Sequence, residues 1–219
     1  MKIRLIDKSD WSSYQKLRLN ALKAASESFG STYEREVKFS EQEIIERISP
    51  NSSKFFMGIF DGKELIGMVS FHKEIGEKDR HKGDIYGMFI HGDYQNKGLA
   101  KLLLSTLINK VKEEYPNATH YCYAYIIDND TKFSDDGEPS KTAGLPIFTQ
   151  LEGNNLNYAL IIVVRYFGGI KLGTGLLTRT YSKVAKEVIT KDNIIELTKG
   201  YNITIIFDYE DIKNIDYLL

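Results

Sequence analysis

Hydrophobic positions change their period several times along this chain, and each change marks an element. Lys2 to Ile6 reads as a short strand, and Asp7 to Asp10 supplies turn and N-cap residues. Trp11, Tyr14, Leu17, Ala21 and Leu22 then recur at helical spacing. Phe29-Gly-Ser-Thr-Tyr33 breaks that pattern, and Ser40 with Glu43 three residues later predicts a second, short helix opened by a capping box. Phe55 to Phe60 and Glu64 to His72 read as two strands joined across Asp61-Gly62, a strong hairpin signal. Lys73 to Gly83 is polar and charged and is expected to be a loop. Ile85 to His91 is the next strand, leading into a helix from about Gly98 to Tyr115 that closes at Tyr115-Pro-Asn117.

From Thr119 the texture changes. A strand runs through Ile127 and ends in Asp128-Asn-Asp130, followed by a long polar loop that carries Ser134-Asp-Asp-Gly-Glu-Pro139. Pro146 to Leu151 is expected to be a short helix. Ala159 to Tyr166 lacks apolar–polar alternation, which predicts a strand buried on both faces. The glycine-rich stretch Gly168 to Gly175 opens a helix running to about Ile189. Tyr201 to Tyr209 reads as a last strand before the chain reaches Leu219. The pattern shows no internal repeat and no low-complexity tract.

Composition narrows the class without naming a function. The 219 residues are 42% hydrophobic and 27% charged, as in a globular protein of one large domain or two small ones. A net charge of −1 gives no global pull toward nucleic acid or anionic membrane, so any such binding needs a local patch. Apolar runs such as Ala159 to Val164 are too short to span a bilayer, and no membrane partner is expected. The strand-like start carries no signal-peptide pattern and Cys122 is the single cysteine, so the cytoplasm is the expected compartment.

The first candidate chemistry lies around Gly98. A helix N-terminus presents unpaired N–H groups and a positive dipole end, so it can hold a phosphate without a basic side chain. Gly98 and Ala100 leave room for close approach, and amides from Gln95 onward could cradle a pyrophosphate. Gly98 alone would serve equally well as a tight strand-to-helix turn. Its context is more specific: a hairpin, a strand, the loop Gln95-Asn-Lys-Gly-Leu-Ala100, then an amphipathic helix.

That order resembles the GNAT acetyltransferases, whose Gln/Arg-x-x-Gly-x-Gly/Ala loop binds the pyrophosphate of acetyl-coenzyme A. Asp10, Leu17-Arg18, Ala21-Leu22 and Phe29-Gly-Ser-Thr-Tyr33 extend the likeness over residues 2 to 115. The resemblance implies that Phe89 and Ile90 offer strand backbone to the pantetheine arm. It implies that Gln95, Asn96, Lys97, Gly98, Leu99 and Ala100 hold the diphosphate of acetyl-CoA as co-substrate. The reaction implied is attack of a deprotonated amine on the thioester, with backbone N–H groups facing the oxyanion. Asp84 and Tyr86 are positional candidates for a base. The family's Asn-x-x-Ala-x-x-x-Tyr helix is missing, so no catalytic acid carries over; Tyr123 or Tyr125 could supply a proton.

The second constellation is His120-x-Cys122-x-Ala-Tyr125, Ser134-Asp-Asp-Gly-Glu-Pro-x-x-Thr-Ala-Gly144 and Arg165-Tyr-Phe-Gly-Gly-x-Lys-Leu-Gly173-x-Gly. Asp135, Asp136 and Glu138 could ligate Mg²⁺ as hard donors. The simpler reading is that they cap helices, satisfy loop amides and pair with lysines. His120 and Cys122 share one strand face but lack further ligands at metal spacing, so they read as packing or hydrogen-bonding residues, and no metal site is expected. Arg165, Tyr166, Lys171 and Arg179 combine cations, an aromatic face and flexible backbone, as single-stranded RNA contacts require. A purely structural glycine-rich turn fits as well.

These motifs resemble the IMPACT/YigZ family over residues 111 to 190, a family of small α+β domains akin to ribosomal-protein modules, with a proposed role in translation control. Leu176 stands where that family usually has glycine, and its initial strand and helix are replaced here by GNAT-like sequence. The expected architecture is α+β: a GNAT-like mixed sheet with flanking helices over residues 1–115, joined through a shared helix to an IMPACT-like domain over 116–200. Residues 201–219 read as the truncated start of a C-terminal domain. The leading expectation is an acetyl-CoA-dependent N-acyltransferase acting on an unknown small-molecule or protein amine. The alternatives are a non-enzymatic RNA- or ribosome-binding protein, and a recombination product that folds but keeps neither activity.

Overall fold

The computed structural model describes residues 1–77, 81–127 and 129–190, together with residues 194 and 196. The expected strand Tyr201–Tyr209, and the segment 201–219 that contains it, lie outside the described residues.

Strands β1 (Lys2–Leu5), β2 (Lys54–Asp61), β3 (Glu64–Lys73) and β4 (Gly83–Ile90) form an antiparallel sheet in the order β1-β2-β3-β4. Gly62 at φ +60° closes the β2–β3 hairpin, a backbone conformation that favours glycine. Helix α1 (Trp11–Ala24) follows a 3-10 turn whose Asp7–Asp10 capping box fixes the chain entry. The one-turn helix α2 (Tyr33–Glu36) begins at the last residue of the stretch read as a break. Helix α3 (Glu41–Ile48) has the expected Ser40–Glu43 capping box. One face of the sheet packs Phe56, Phe60, Leu65, Met68 and Phe89 against α1 and α3. Period-two alternation sends Phe55, Met57, Ile59, Val69, Phe71 and Ile90 to the other face, against α4 (Leu99–Glu114).

The second sheet has the order β6-β5-β7, built from β5 (His120–Ile127), β6 (Asp130–Ser134) and β7 (Ala159–Arg165). Strand β6 corrects the sequence reading, which placed these residues in the long polar loop. As an exposed edge strand whose one large apolar side chain is Phe133, set against Phe148, it leaves no hydrophobic period. Strand β7 corrects it too: as the other edge it is mostly half-buried, not sealed on both faces. Its apolar residues do not alternate with polar ones because both faces carry helices. Leu160, Ile162 and Val164 pack with α4, while Ile161 and Val163 pack with α5 (Gly144–Gly153) and α6 (Thr174–Val188).

Helix α4 therefore covers one face of each sheet. Leu103, Leu104, Leu107 and Val111 share one cluster with residues of both sheets, including Tyr125 of β5. At about 25 cal/mol per Å² of apolar area buried, such a two-sided helix is a principal contributor to the hydrophobic term.

Candidate active site

Strands β4 and β7 are both edge strands, and no backbone ladder joins them. A cleft runs between them, lined by Ile85, Met88 and Ile90 on one side and by Leu160, Ile162 and Val164 on the other. Leu104 and Val111 of α4 line it as well. It continues past β4 to the α1/α3 face, where Tyr14, Arg18, Phe56 and His72 line it. Its volume of about 2620 Å³ exceeds the ~300–1,000 Å³ of a closed small-molecule pocket, so this is an open trough.

At one end of the trough the chain turns from β4 into α4. Asn96 (φ +59°) and Gly98 (φ +73°) are both left-handed, which bends the loop sharply into the helix. The first intrahelical bond runs from the Leu102 N–H to the Gly98 carbonyl, so the amides of Leu99, Ala100 and Lys101 have no acceptor within α4. A Cβ placed on Gly98 would meet no atom within 4 Å, so the space above the turn is open. Gln95 and Lys97 direct their side chains to the loop itself: Gln95 Nε2 donates to the Ile90 carbonyl at 3.0 Å, and Lys97 Nζ donates to the Asp93 carbonyl at 2.8 Å. Leu99 is buried.

The two expected strand contacts separate. The His91 N–H donates to the Ile66 carbonyl, and Ile90 lies opposite Gly67. Ladder alternation then turns the Ile90 N–H to the open edge, whereas the backbone groups of Phe89 face β3. The sequence reading also missed a bulge, where Gly87 and Met88 together face Val69. Gly87 at φ +62° is the residue that permits it, and a lone glycine inside a strand pattern was the available signal.

On the α1/α3 side, Glu36 is fully buried. Arg18 grips it with two bonds of 2.9 and 2.8 Å, and Arg47 Nη1 approaches at 3.1 Å. Burial pushes the Glu36 carboxyl up, but the bonds from Arg18 and Ser31 and the charge of Arg47 outweigh it and leave it below its ordinary range. Asp84 and Tyr86 lie on β4 opposite His72 and Ser70. Burial and then the nearby Asp84 charge push the Tyr86 hydroxyl up. Tyr125, offered as a proton source, is buried against α4 with its hydroxyl unpartnered and does not line the cleft. Tyr123 packs at the edge of that same cluster.

In the second half, the acidic loop serves the fold. Asp135 accepts from the amides of Lys141, Ala143 and Gly144, capping α5. Asp136 accepts from the Tyr121 amide and pairs with Lys112 of α4 at 2.9 Å. Glu138 accepts from the Tyr181 hydroxyl at 2.8 Å and pairs with Arg165. His120 Nδ1 meets the Asp136 carbonyl at 2.8 Å, and the buried Cys122 thiol lies 3.0 Å from the Asp135 carbonyl, its pKa pushed up to about 12 by burial. Of the four residues expected to meet RNA, Arg165 is committed to Glu138, a partner with no sequence-local signature. Tyr166, Lys171 and Arg179 are exposed, with Phe167 and Ile170 beside them.

Comparison with known proteins matches both halves. The Acetyltransferase (GNAT) family model covers residues 19–132, and the Impact N-terminal domain model covers residues 100–189. Both matches include α4 and β5. The chain belongs to the GNAT acetyltransferase family, and it also carries an IMPACT-family domain. It is similar to the IMPACT family member YvyE of Bacillus subtilis (strain 168), 46% identical over 92 residues, covering 41% of this chain and 42% of that protein. It is likewise similar to the IMPACT family member YigZ of Escherichia coli (strain K12), 35% identical over 117 residues, covering 51% and 57% respectively. The chain thus spans about half the length of the curated relatives it matches. Among solved structures, a GNAT acetyltransferase from Streptococcus pneumoniae is 19% identical with a TM-score of 0.45, covering 52% of this chain and 68% of that one. Among the described residues, no helix is long and apolar enough to cross a membrane.

Proposed function

We propose that the chain transfers an acyl group from acyl-coenzyme A to an amine held on the α1/α3 side of the trough. GNAT membership implies acyl-CoA chemistry in general; the finer reading rests on one arrangement, the free β4 edge leading into the open turn at Gly98. The amides of Leu99, Ala100 and Lys101 supply donors and the positive end of α4 for a diphosphate, with Asn96 and Gly98 shaping the approach. The outward N–H of Ile90 is the donor for an extended amide-bearing arm, while its carbonyl is already held by Gln95. The bulge at Gly87–Met88 breaks the regular ladder at mid-strand, and backbone N–H groups there are the natural partners for oxyanion charge on the thioester.

Calorimetry with coenzyme A tests this directly. The wild type should bind at millimolar concentration or below. Gly98→Val should lose at least tenfold in affinity with an unchanged circular dichroism spectrum, because its side chain enters open space at a φ that strains it. A wild type that takes up no coenzyme A at millimolar concentration rules the reading out.

A second reading is favoured by the exposed Tyr166, Phe167 and Ile170 standing beside Lys171 and Arg179. This surface is fit for single-stranded RNA or a ribosomal surface, the aromatic faces stacking on bases and the cations meeting phosphates. It is compatible with the first, since Phe167, Ile170, Lys171 and Arg179 lie outside the lining of the trough, which Tyr166 alone of these residues joins.

A further inference from the structure

Resting on the transferase reading, we propose that His72 is the general base, taking the proton of the acceptor ammonium on its Nδ1 atom. Hydrogen-bond direction fixes which ring nitrogen is free. Ser70 Oγ donates to the Tyr86 carbonyl at 3.1 Å, and a hydroxyl has one proton to give. His72 Nε2 lies 3.1 Å from the same Oγ, so at that contact the imidazole must donate. The neutral ring is then the Nε2–H tautomer, and Nδ1 carries the lone pair. The relay Nε2–H to Ser70 to the Tyr86 carbonyl ends one residue before the Gly87 bulge, where the thioester carbonyl would be polarised.

The ring is held in place. It stands edge-on between Phe56, at 5.6 Å between centroids, and Tyr86, at 5.5 Å. It lines the trough on the same side as Arg18 and Phe56. The charged groups around it come from three elements: Lys54 of β2, which is its ladder partner, Arg47 of α3 and Asp84 of β4. Burial first, then Lys54 and Arg47, hold the imidazole below its ordinary range, with Asp84 opposing. This shift favours the neutral ring, the form able to accept a proton.

The step balances without any further reactant. One N–H proton of the acceptor R–NH₃⁺ moves to His72 Nδ1, and the freed lone pair forms the C–N bond to the acyl carbon. The C–S bond breaks with its electron pair on sulfur, and a second nitrogen proton ends there as the thiol. His72 returns its proton to water.

Two measurements decide the assignment separately from coenzyme binding. Long-range ¹H–¹⁵N spectra of the wild-type chain should show His72, identified by its loss in His72→Gln, as the Nε2–H tautomer; an Nδ1–H tautomer overturns the proposal. Thiol release from acetyl-CoA is then followed with ethylamine as the probe acceptor. Wild-type kcat/KM should fall on the acid side as His72 protonates. His72→Gln should lose about 10²-fold or more at neutral pH, together with that limb. Ser70→Ala should lose less and keep the limb. Retained activity within threefold in His72→Gln, or no amine-dependent release from a wild type that binds coenzyme A, overturns the role of His72. Failure of coenzyme A to bind sinks the transferase reading itself and leaves the tautomer result standing.

Discussion

Replacing Glu36 with Gln should be among the most damaging single changes in the first module. The wild-type carboxylate is fully buried, and it balances Arg18, 7% exposed at its side chain, and Arg47, 34% exposed. The amide side chain keeps the volume but not the charge, and leaves two guanidinium groups near one another. Removing one partner of a buried ion pair typically costs about 3–5 kcal/mol, and the partial exposure of Arg47 places this case near the lower end. Against a typical total of about 5–15 kcal/mol, that is a large fraction. Urea unfolding followed by the fluorescence of Trp11, the single tryptophan, would measure it. The pH dependence carries a definite sign. Because the folded pKa of Glu36 is depressed, its contribution is present above the ordinary value of about 4.5 and is lost as pH falls through the folded value. Glu36→Gln should lack that component of acid destabilisation. A double variant that also replaces Arg18 with Met should recover part of the loss. A Glu36→Gln protein within 1 kcal/mol of wild type would refute this account of the cluster.

Gly144→Ala should destabilise the second module by about 1–3 kcal/mol or more, since its Cβ would sit 2.7–2.8 Å from the Ser134 backbone, which cannot yield like a flexible side chain; thermal melts would report it. Acetyl transfer should be slow, because the sequence lacks the family's Asn-x-x-Ala-x-x-x-Tyr motif and general acid catalysis contributes about 10²–10⁴-fold; turnover at the rate of a complete family member, measured by thiol release, would contradict this. RNA binding, followed by anisotropy of a labelled single strand, should weaken steeply with salt and fall on charge reversal of Lys171 and Arg179. Tyr166→Ala should weaken single strands most, and binding that survives both reversals would leave the glycine-rich segment as a structural turn.

Local signals carried most of the first sheet. The Asp61-Gly62 turn, the Ser40–Glu43 capping box and the period-two strands each depend on neighbours in sequence, and each is present in the fold. The helix start at Gly98 was legible for the same reason. Strand β6 was not, because Thr131-Lys-Phe-Ser134 is an edge whose side chains mostly face solvent. The trough could not be read either, since it arises where β4 and β7, far apart in sequence, fail to pair. The His72–Ser70–Tyr86 relay was half visible: positions 70 and 72, and 84 and 86, share a face by simple alternation, but only the β3–β4 register sets them opposite each other. The Arg165–Glu138–Tyr181 cluster joins three distant segments and left no spacing to find.

Helix α4 has a consequence for how long the protein lasts in a cell. Its apolar residues belong to one cluster with both sheets, so each module has a cluster of its own but shares a third with the other. Any ligand that fastens the first turn of α4 stabilises everything that needs that helix. At a hundredfold excess over Kd, mass action adds about 2.7 kcal/mol to the folded state. A gain of that size lowers the unfolded fraction exposed to proteases by about a hundredfold. Were coenzyme A that ligand, its binding would also lengthen the lifetime of the exposed surface around Lys171 and Arg179.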